Sequence, residues 1–190
     1  MIQSTHTTQE ALKLIWQEIR RGTVDRRHPF RFLTLATIRG QQPVQRTLVS
    51  RKLDDQNRIW LYTDARSGKM SDRENNDAAS LLFYHPKKQL QISMACRLQV
   101  EQDPQIRRDI WSGFADFQQK DYNRKFLPGQ QLSSPDGGWL SIPEEGFPNF
   151  VLLQAVAHQI DCLQLDRSGH LRLSFEKGEQ GQWQGNWIAP

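Results

Sequence analysis

The stretch YTDARSGKMSDRENN, residues 62–76, sets Tyr62 and Thr63 before a short loop and then Ser67, Gly68 and Lys69 where a helix is expected to begin. The first amides of a helix lack intrahelical partners and carry partial positive charge, so hydroxyls and a lysine gathered there suit an anion, phosphate above all. Read alone, the same residues also describe an ordinary solvated helix, capped by Ser67 with Lys69 in water, and that is the commoner object. Other chemistries lack their signatures. The sequence has no P-loop, no G-x-S-x-G, no H-E-x-x-H and no G-x-G-x-x-G at a strand-helix junction. Cys96 and Cys162 lie outside any C-x-x-C pattern, and His6, His28, His85, His158 and His170 are scattered without zinc-site spacing, so no metal is expected.

Around this stretch the chain alternates strand and turn signals. Thr7 and Glu10 have capping-box spacing, and Ala11, Leu14, Ile15 and Ile19 fall on one stripe, which predicts an amphipathic helix ending before Gly22. FRFLTLAT, PVQRTLVSRKL and RIWLYT are rich in β-branched and aromatic residues and are separated by RGQQ and DDQN, so three antiparallel strands are expected. AASLLFY, stopped by His85 and Pro86, reads as a fourth. In LQISMACRLQV, Leu90, Ile92, Met94, Cys96, Leu98 and Val100 alternate with polar or small residues, the mark of a half-buried strand. Asp103 and Pro104 then start a helix expected to bury Ile106, Ile110, Trp111, Phe114 and Phe117. Residues 127–149 are Pro-, Gly- and Ser-rich and aperiodic, a long loop, and two further strands are expected around FVLLQAVAHQIDCLQL and HLRLSFE.

The expectation is one mainly β domain over residues 1–190, with a helix in residues 1–25 and six or so antiparallel strands in a barrel or sandwich. A negative mean hydropathy and the lack of a long apolar run exclude a membrane-spanning helix. The N-terminus shows no secretory signal, which points to the cytoplasm, where two buried thiols would stay reduced. A formal net charge of +4 favours an anionic partner without choosing between nucleic acid and a phosphorylated small molecule. The basic residues are interspersed with acids and form no long patch, which ranks a nucleic-acid-binding barrel low.

RTLVSR, then YTDARSGKMSDRENNDAASLLFY, then QLQIS stand in an order and spacing that resembles the pyridoxamine 5'-phosphate oxidase family of FMN-binding split β-barrels. The resemblance is specific from Arg46 to Val100 and looser in the tail, where Trp183 precedes the terminal Ile188-Ala189-Pro190. It implies FMN contacts at Arg46, Thr47, Leu48, Arg51, Tyr62, Thr63, Ser67, Lys69 and Gln91, with Arg46 and Lys69 neutralising the phosphate and Gln91 meeting the polar edge of the flavin. Gln131 matches a second flavin-contacting glutamine loosely, and Arg97 either reaches flavin or pairs across a dimer interface. A homodimer with FMN in the cleft between subunits is also implied.

Departures from the family pattern concentrate in the substrate half. The family's helix-start arginine is Gly68 here, which removes one charge from the phosphate clamp, and a substrate-binding lysine is Arg51. The late tryptophan beside the flavin corresponds to Leu163, the Arg-Leu-His substrate motif appears as His170-Leu171-Arg172, and an arginine near the end is Trp187. The expected function is therefore a flavin oxidoreductase passing hydride from a small molecule to FMN. A non-catalytic flavin- or haem-binding barrel and a true pyridoxine or pyridoxamine 5'-phosphate oxidase are the alternatives.

Overall fold

The structure, a computed structural model, describes residues 1–135, 137–140 and 142–190. Asp136 and Ser141, within the expected long loop, lie outside the described residues.

Helix α1 (Thr8–Val24) opens on the expected capping box, with the Glu10 amide donating to Thr7 Oγ1 and the Thr7 amide to Glu10 Oε2. Its buried stripe is Ala11, Leu12, Ile15 and Ile19, with Leu14 only half-buried. The helix does not end before Gly22 but runs through it. A Cβ at this position would lie 2.6 Å from the Phe30 carbonyl oxygen, so glycine is kept here for close approach and not as a stop signal.

Among the described residues nine strands form one antiparallel sheet, against the six or so expected: β1 (Phe32–Arg39), β2 (Gln42–Val49), β3 (Lys52–Leu53), β4 (Ile59–Asp64), β5 (Ala78–His85), β6 (Leu90–Val100), β7 (Phe150–Gln164), β8 (Leu171–Lys177) and β9 (Trp183–Ile188). Hydrogen bonding follows the order β2-β1-β5-β6-β7-β4-β3, and β8 and β9 continue from β7. The segment expected as one strand over Pro43–Leu53 breaks at Ser50, whose amide donates to the Arg31 carbonyl at 2.9 Å. Residues 50 and 51 thus carry the chain from one end of the hydrogen-bonded path to the other. The sheet curls so that β2 and β3 are joined by the chain, with no ladder between them. A split barrel is the result, mainly β with flanking helices.

The alternation in β6 sends Leu90, Ile92, Met94, Cys96 and Leu98 inward, each buried, against Leu153, Ala155, Ile160 and Cys162 of β7 and the stripe of α1. Burial pushes both thiols up to about 12, which leaves Cys96 and Cys162 as inert packing groups. A second, aromatic cluster of Trp60, Trp111, Tyr122, Phe150 and Leu152 lies under helix α3 (Pro104–Ser112). The helix expected to reach Phe117 stops at Gly113 and resumes as the short α4 (Asp116–Lys120), so Phe117 is 72% exposed. Only Trp111 of the predicted stripe is fully buried, and its Nε1–H donates to Glu144 at 2.9 Å, tying α3 to the 3-10 turn Pro143–Asn149 that ends the long loop. No helix among the described residues is long and apolar enough to cross a membrane.

Candidate functional site

Helix α2 (Gly68–Asn75) begins at the end of β4, and its N-cap, Ser67, has extended backbone but makes no side-chain cap bond. The Ser67 hydroxyl instead donates backward to the Asp64 carbonyl at 2.7 Å. Lys69 does not reach for water. Its Nζ donates to Thr63 Oγ1 at 2.8 Å and to Ser67 Oγ at 3.0 Å, and among the described residues no carboxylate forms an ion pair with it. The ordinary capped-helix description therefore fails on both its terms. Burial, and then the neighbouring Arg46, hold the Lys69 ammonium below the usual lysine range, against an opposing pull from Asp64 and Asp72.

Asp72, one turn into α2 and only 3% exposed, gathers the other cations. Arg39 Nε and Nη2 donate to it at 2.8 and 3.3 Å, Arg46 Nη2 at 3.2 Å and the Thr37 hydroxyl at 2.7 Å, while Arg46 Nη1 donates to Thr37 Oγ1 at 2.6 Å. Burial alone would raise the Asp72 carboxyl, but hydrogen bonds from Arg39, Thr37 and Arg46 and the charge of Arg39 hold it below the usual aspartate range. Nearby Asp64 is taken up by Arg66, whose Nη2 donates to it at 2.6 Å. Arg39 and Arg46 thus share one carboxylate and, with Lys69, leave an excess of two positive charges beside an uncapped helix start. A phosphate monoester carries about −1.5 to −2 at neutral pH, so the donor set and the charge fit one.

The structure brings together Arg46, Thr63, Ser67 and Lys69 of the residues expected to bind cofactor. Thr47 points to the opposite face of β2 and is exposed, while Leu48 packs on the core. Arg51 and Tyr62 meet each other, with the guanidinium 5.1 Å from the ring centroid, and Tyr62 also packs edge-on to Phe150 at 5.3 Å. Burial raises the Tyr62 hydroxyl above the usual tyrosine range.

Gln91 belongs to a different neighbourhood. It stands opposite Tyr84 of β5 and Leu163 of β7; Leu163 is opposite Arg172 of β8, and Arg172 opposite Ile188 of β9. Residues paired directly across strands point to one side, so Gln91, Leu163 and Arg172 form a row on the same face. Arg172 is bound to Asp161, through Nη2 at 3.0 Å and Nε at 3.1 Å. His170 precedes β8 and is exposed, its Nδ1 accepting from the Asp166 amide. Arg97 pairs with Asp77 of the same chain, and Gln131 is exposed in the long loop. Trp183 packs against Trp16, whereas Trp187 remains 39% exposed.

Sequence reasoning missed Thr37, Arg39 and Asp72. Thr37 and Arg39 are two apart on one strand, a parity visible in the sequence, but their meeting with a carboxylate 33 or more residues away is set by tertiary packing. One other titratable group is compact enough to attract notice: Glu18, His28 and His85, whose ligand-type atoms lie within 4.8 Å of one another. Both histidines accept a backbone amide at Nδ1, from Phe30 and from Lys88. The neutral tautomer therefore carries its proton on Nε2, and Glu18 is already held by Lys88 Nζ at 2.6 Å and by His28. This is a buried hydrogen-bond network with a cation already in place.

Residues 13–102 match the family model described as pyridoxamine 5'-phosphate oxidase, FMN-binding domain. A pyridoxamine 5'-phosphate oxidase-related, FMN binding protein of Nostoc punctiforme is 26% identical, with 99% of this chain and 100% of that one covered and a TM-score of 0.78. PhzG of Burkholderia lata, solved with tetrahydrophenazine-1-carboxylic acid, shares the fold at 17% identity, with 98% and 95% covered and a TM-score of 0.73. General Stress Protein 26 of Bacillus anthracis shares it at 19% identity, with 80% and 98% covered and a TM-score of 0.52. Among curated proteins none matches the sequence. The fold is a split barrel like those of the pyridoxamine 5'-phosphate oxidases, and residues 13–102 match a domain whose cofactor is FMN.

Proposed function

We propose that the protein is an FMN-dependent oxidoreductase that takes hydride from a small-molecule substrate. The observation carrying this reading is Lys69, a half-buried cation held by two hydroxyls and no carboxylate at an uncapped helix start. Arg46, Lys69, Ser67 and Thr63 hold the phosphate, and Gln91 offers a hydrogen bond to the polar edge of the flavin. When bound, FMN would supply the redox chemistry as the hydride acceptor, while this chain's residues would supply position, charge and exclusion of water.

A homodimer with cofactor between the subunits is part of the proposal. It is supported by Tyr84 (48% exposed) and Ile188 (37% exposed), apolar surface at the two ends of the row that holds Gln91. Two buried free thiols accord with a cytoplasmic setting. Oxidation of pyridoxine or pyridoxamine 5'-phosphate is disfavoured, because Arg172 is engaged by Asp161 and the residue opposite Gln91 is the apolar Leu163. A non-catalytic flavin-binding role is the second reading, favoured by the description of the Nostoc punctiforme protein as FMN binding.

The test is purification followed by absorption spectroscopy and mass identification of the released chromophore. A yellow protein releasing FMN is expected, with colour lost in Lys69→Ala and Arg46→Ala. A colourless protein that ignores added FMN would overturn the reading. Reduction of the bound flavin by small-molecule donors under anaerobic conditions then separates the oxidoreductase from the passive binder.

A further inference from the structure

Gly68, the first residue of α2, has no side chain to offer an anion at the helix start. The space is not empty. A Cβ built there would lie 3.3 Å from Arg39 Cζ and closer still to Nη2, nearer than real Cβ atoms come, so the Arg39 guanidinium sits where a side chain at Gly68 would begin. Arg39 comes from the far end of β1, and two bonds from its Nε and Nη2 to the buried Asp72 hold it in that place. The guanidinium lines a cleft of about 560 Å³ with Gly40, Gly68, Ser71, Asp72 and Asn75.

From this geometry we infer that Arg39 is a third phosphate-binding cation, and that Asp72 is the positioning residue that aims both Arg39 and Arg46. The inference rests on the flavin reading above and adds to it a residue from another element. Three facts of the fold support it. The absence of a Cβ at Gly68 leaves room for the guanidinium against the helix start. Asp72 satisfies Arg39 through Nε and Nη2, which leaves Nη1 without a bond to it. Without Arg39, the pairing of Arg46 with Asp72 leaves the helix start with the single excess charge of Lys69, short of a phosphate dianion. A cation delivered from β1 does the work that a charged side chain on the first turn of α2 would otherwise do.

Riboflavin, which lacks the phosphate, makes the test specific. Dissociation constants for FMN and riboflavin are measured by flavin fluorescence quenching on the apoprotein, and their ratio reports the phosphate contribution alone. Arg39→Ala should lower the FMN preference roughly tenfold, the scale of one charge-assisted contact. Gly68→Ala removes no charge, yet its methyl displaces the guanidinium and should lower the preference in the same direction. Adding Gly68→Arg to Arg39→Ala returns a cation from the helix itself and should restore the preference, a rescue that a merely structural role for Arg39 does not predict. Asp72→Asn should weaken FMN binding while leaving riboflavin binding unchanged.

An FMN-to-riboflavin ratio equal to wild type in both Arg39→Ala and Gly68→Ala would overturn the clamp while leaving the flavin reading intact. Failure of the Gly68→Arg addition to restore the ratio would also overturn it. Wild-type protein that binds neither flavin would overturn the flavin reading itself, and the clamp with it.

Discussion

Lys69 Nζ lies 2.8 Å from Thr63 Oγ1, so the first turn of α2 and the last residues of β4 are joined through a cation and a hydroxyl, with no acid among the described residues in the ion-pair position. That arrangement has a pH signature. Burial and Arg46 hold the free ammonium below its ordinary value of 10.5, and a bound phosphate favours the charged form. FMN affinity should therefore be full below the lowered Lys69 value and fall as pH rises through it. Lys69→Arg should flatten the fall, since guanidinium keeps its proton throughout. A pH series of fluorescence titrations measures it.

Asp72 predicts the opposite limb, in stability rather than in binding. Its folded carboxyl is held below the ordinary 3.8, so its contribution is present above pH 3.8 and is lost as pH falls through the lower, folded value. Asp72→Asn should be less stable than wild type at neutral pH, and the gap should narrow as the solution is taken below pH 3.8. Urea denaturation at several pH values reads the difference directly.

Gly22→Ala should destabilise the fold without touching the cofactor site. Its methyl would meet the Phe30 backbone at 2.6 Å, and overpacking of this kind costs about 1–3 kcal/mol. The thermal midpoint should drop, while the FMN dissociation constant measured well below that midpoint stays unchanged.

Trp111→Ala removes the centre of the aromatic cluster, where Trp111 contacts Phe114, Tyr122, Phe147 and Phe150 at centroid distances of 5.6 to 5.8 Å. A loss of about 3–5 kcal/mol is expected for emptying such a site. Trp111→Phe keeps most of the packing but abandons the bond to Glu144, so its loss should be smaller and should appear as faster proteolysis within residues 127–149.

Much of this architecture was legible because it is written in short-range patterns. The alternation of β6, the Thr7 and Glu10 box and the placement of Thr63, Ser67 and Lys69 all follow from spacings of two to six residues. What escaped depends on partners far along the chain. Ser50 breaks a strand because its amide is claimed by Arg31, and Gly22 reads as a stop although Phe30 is the reason for it. Phe117 fits a helical stripe, but Gly113 ends the helix one turn early and turns the ring outward. The Gly68 position looks like a missing charge from the sequence, because nothing local reveals that Arg39 sits against it.

Strand β2, which carries Arg46, terminates the ladder and has a hydrogen-bonded neighbour on one flank only. Such a border strand frays more readily than an interior one, and a ligand gripped by Arg46 resists that fraying by mass action. Under the proposed flavin binding, cofactor-free molecules would present a looser margin to proteases and to one another than loaded ones.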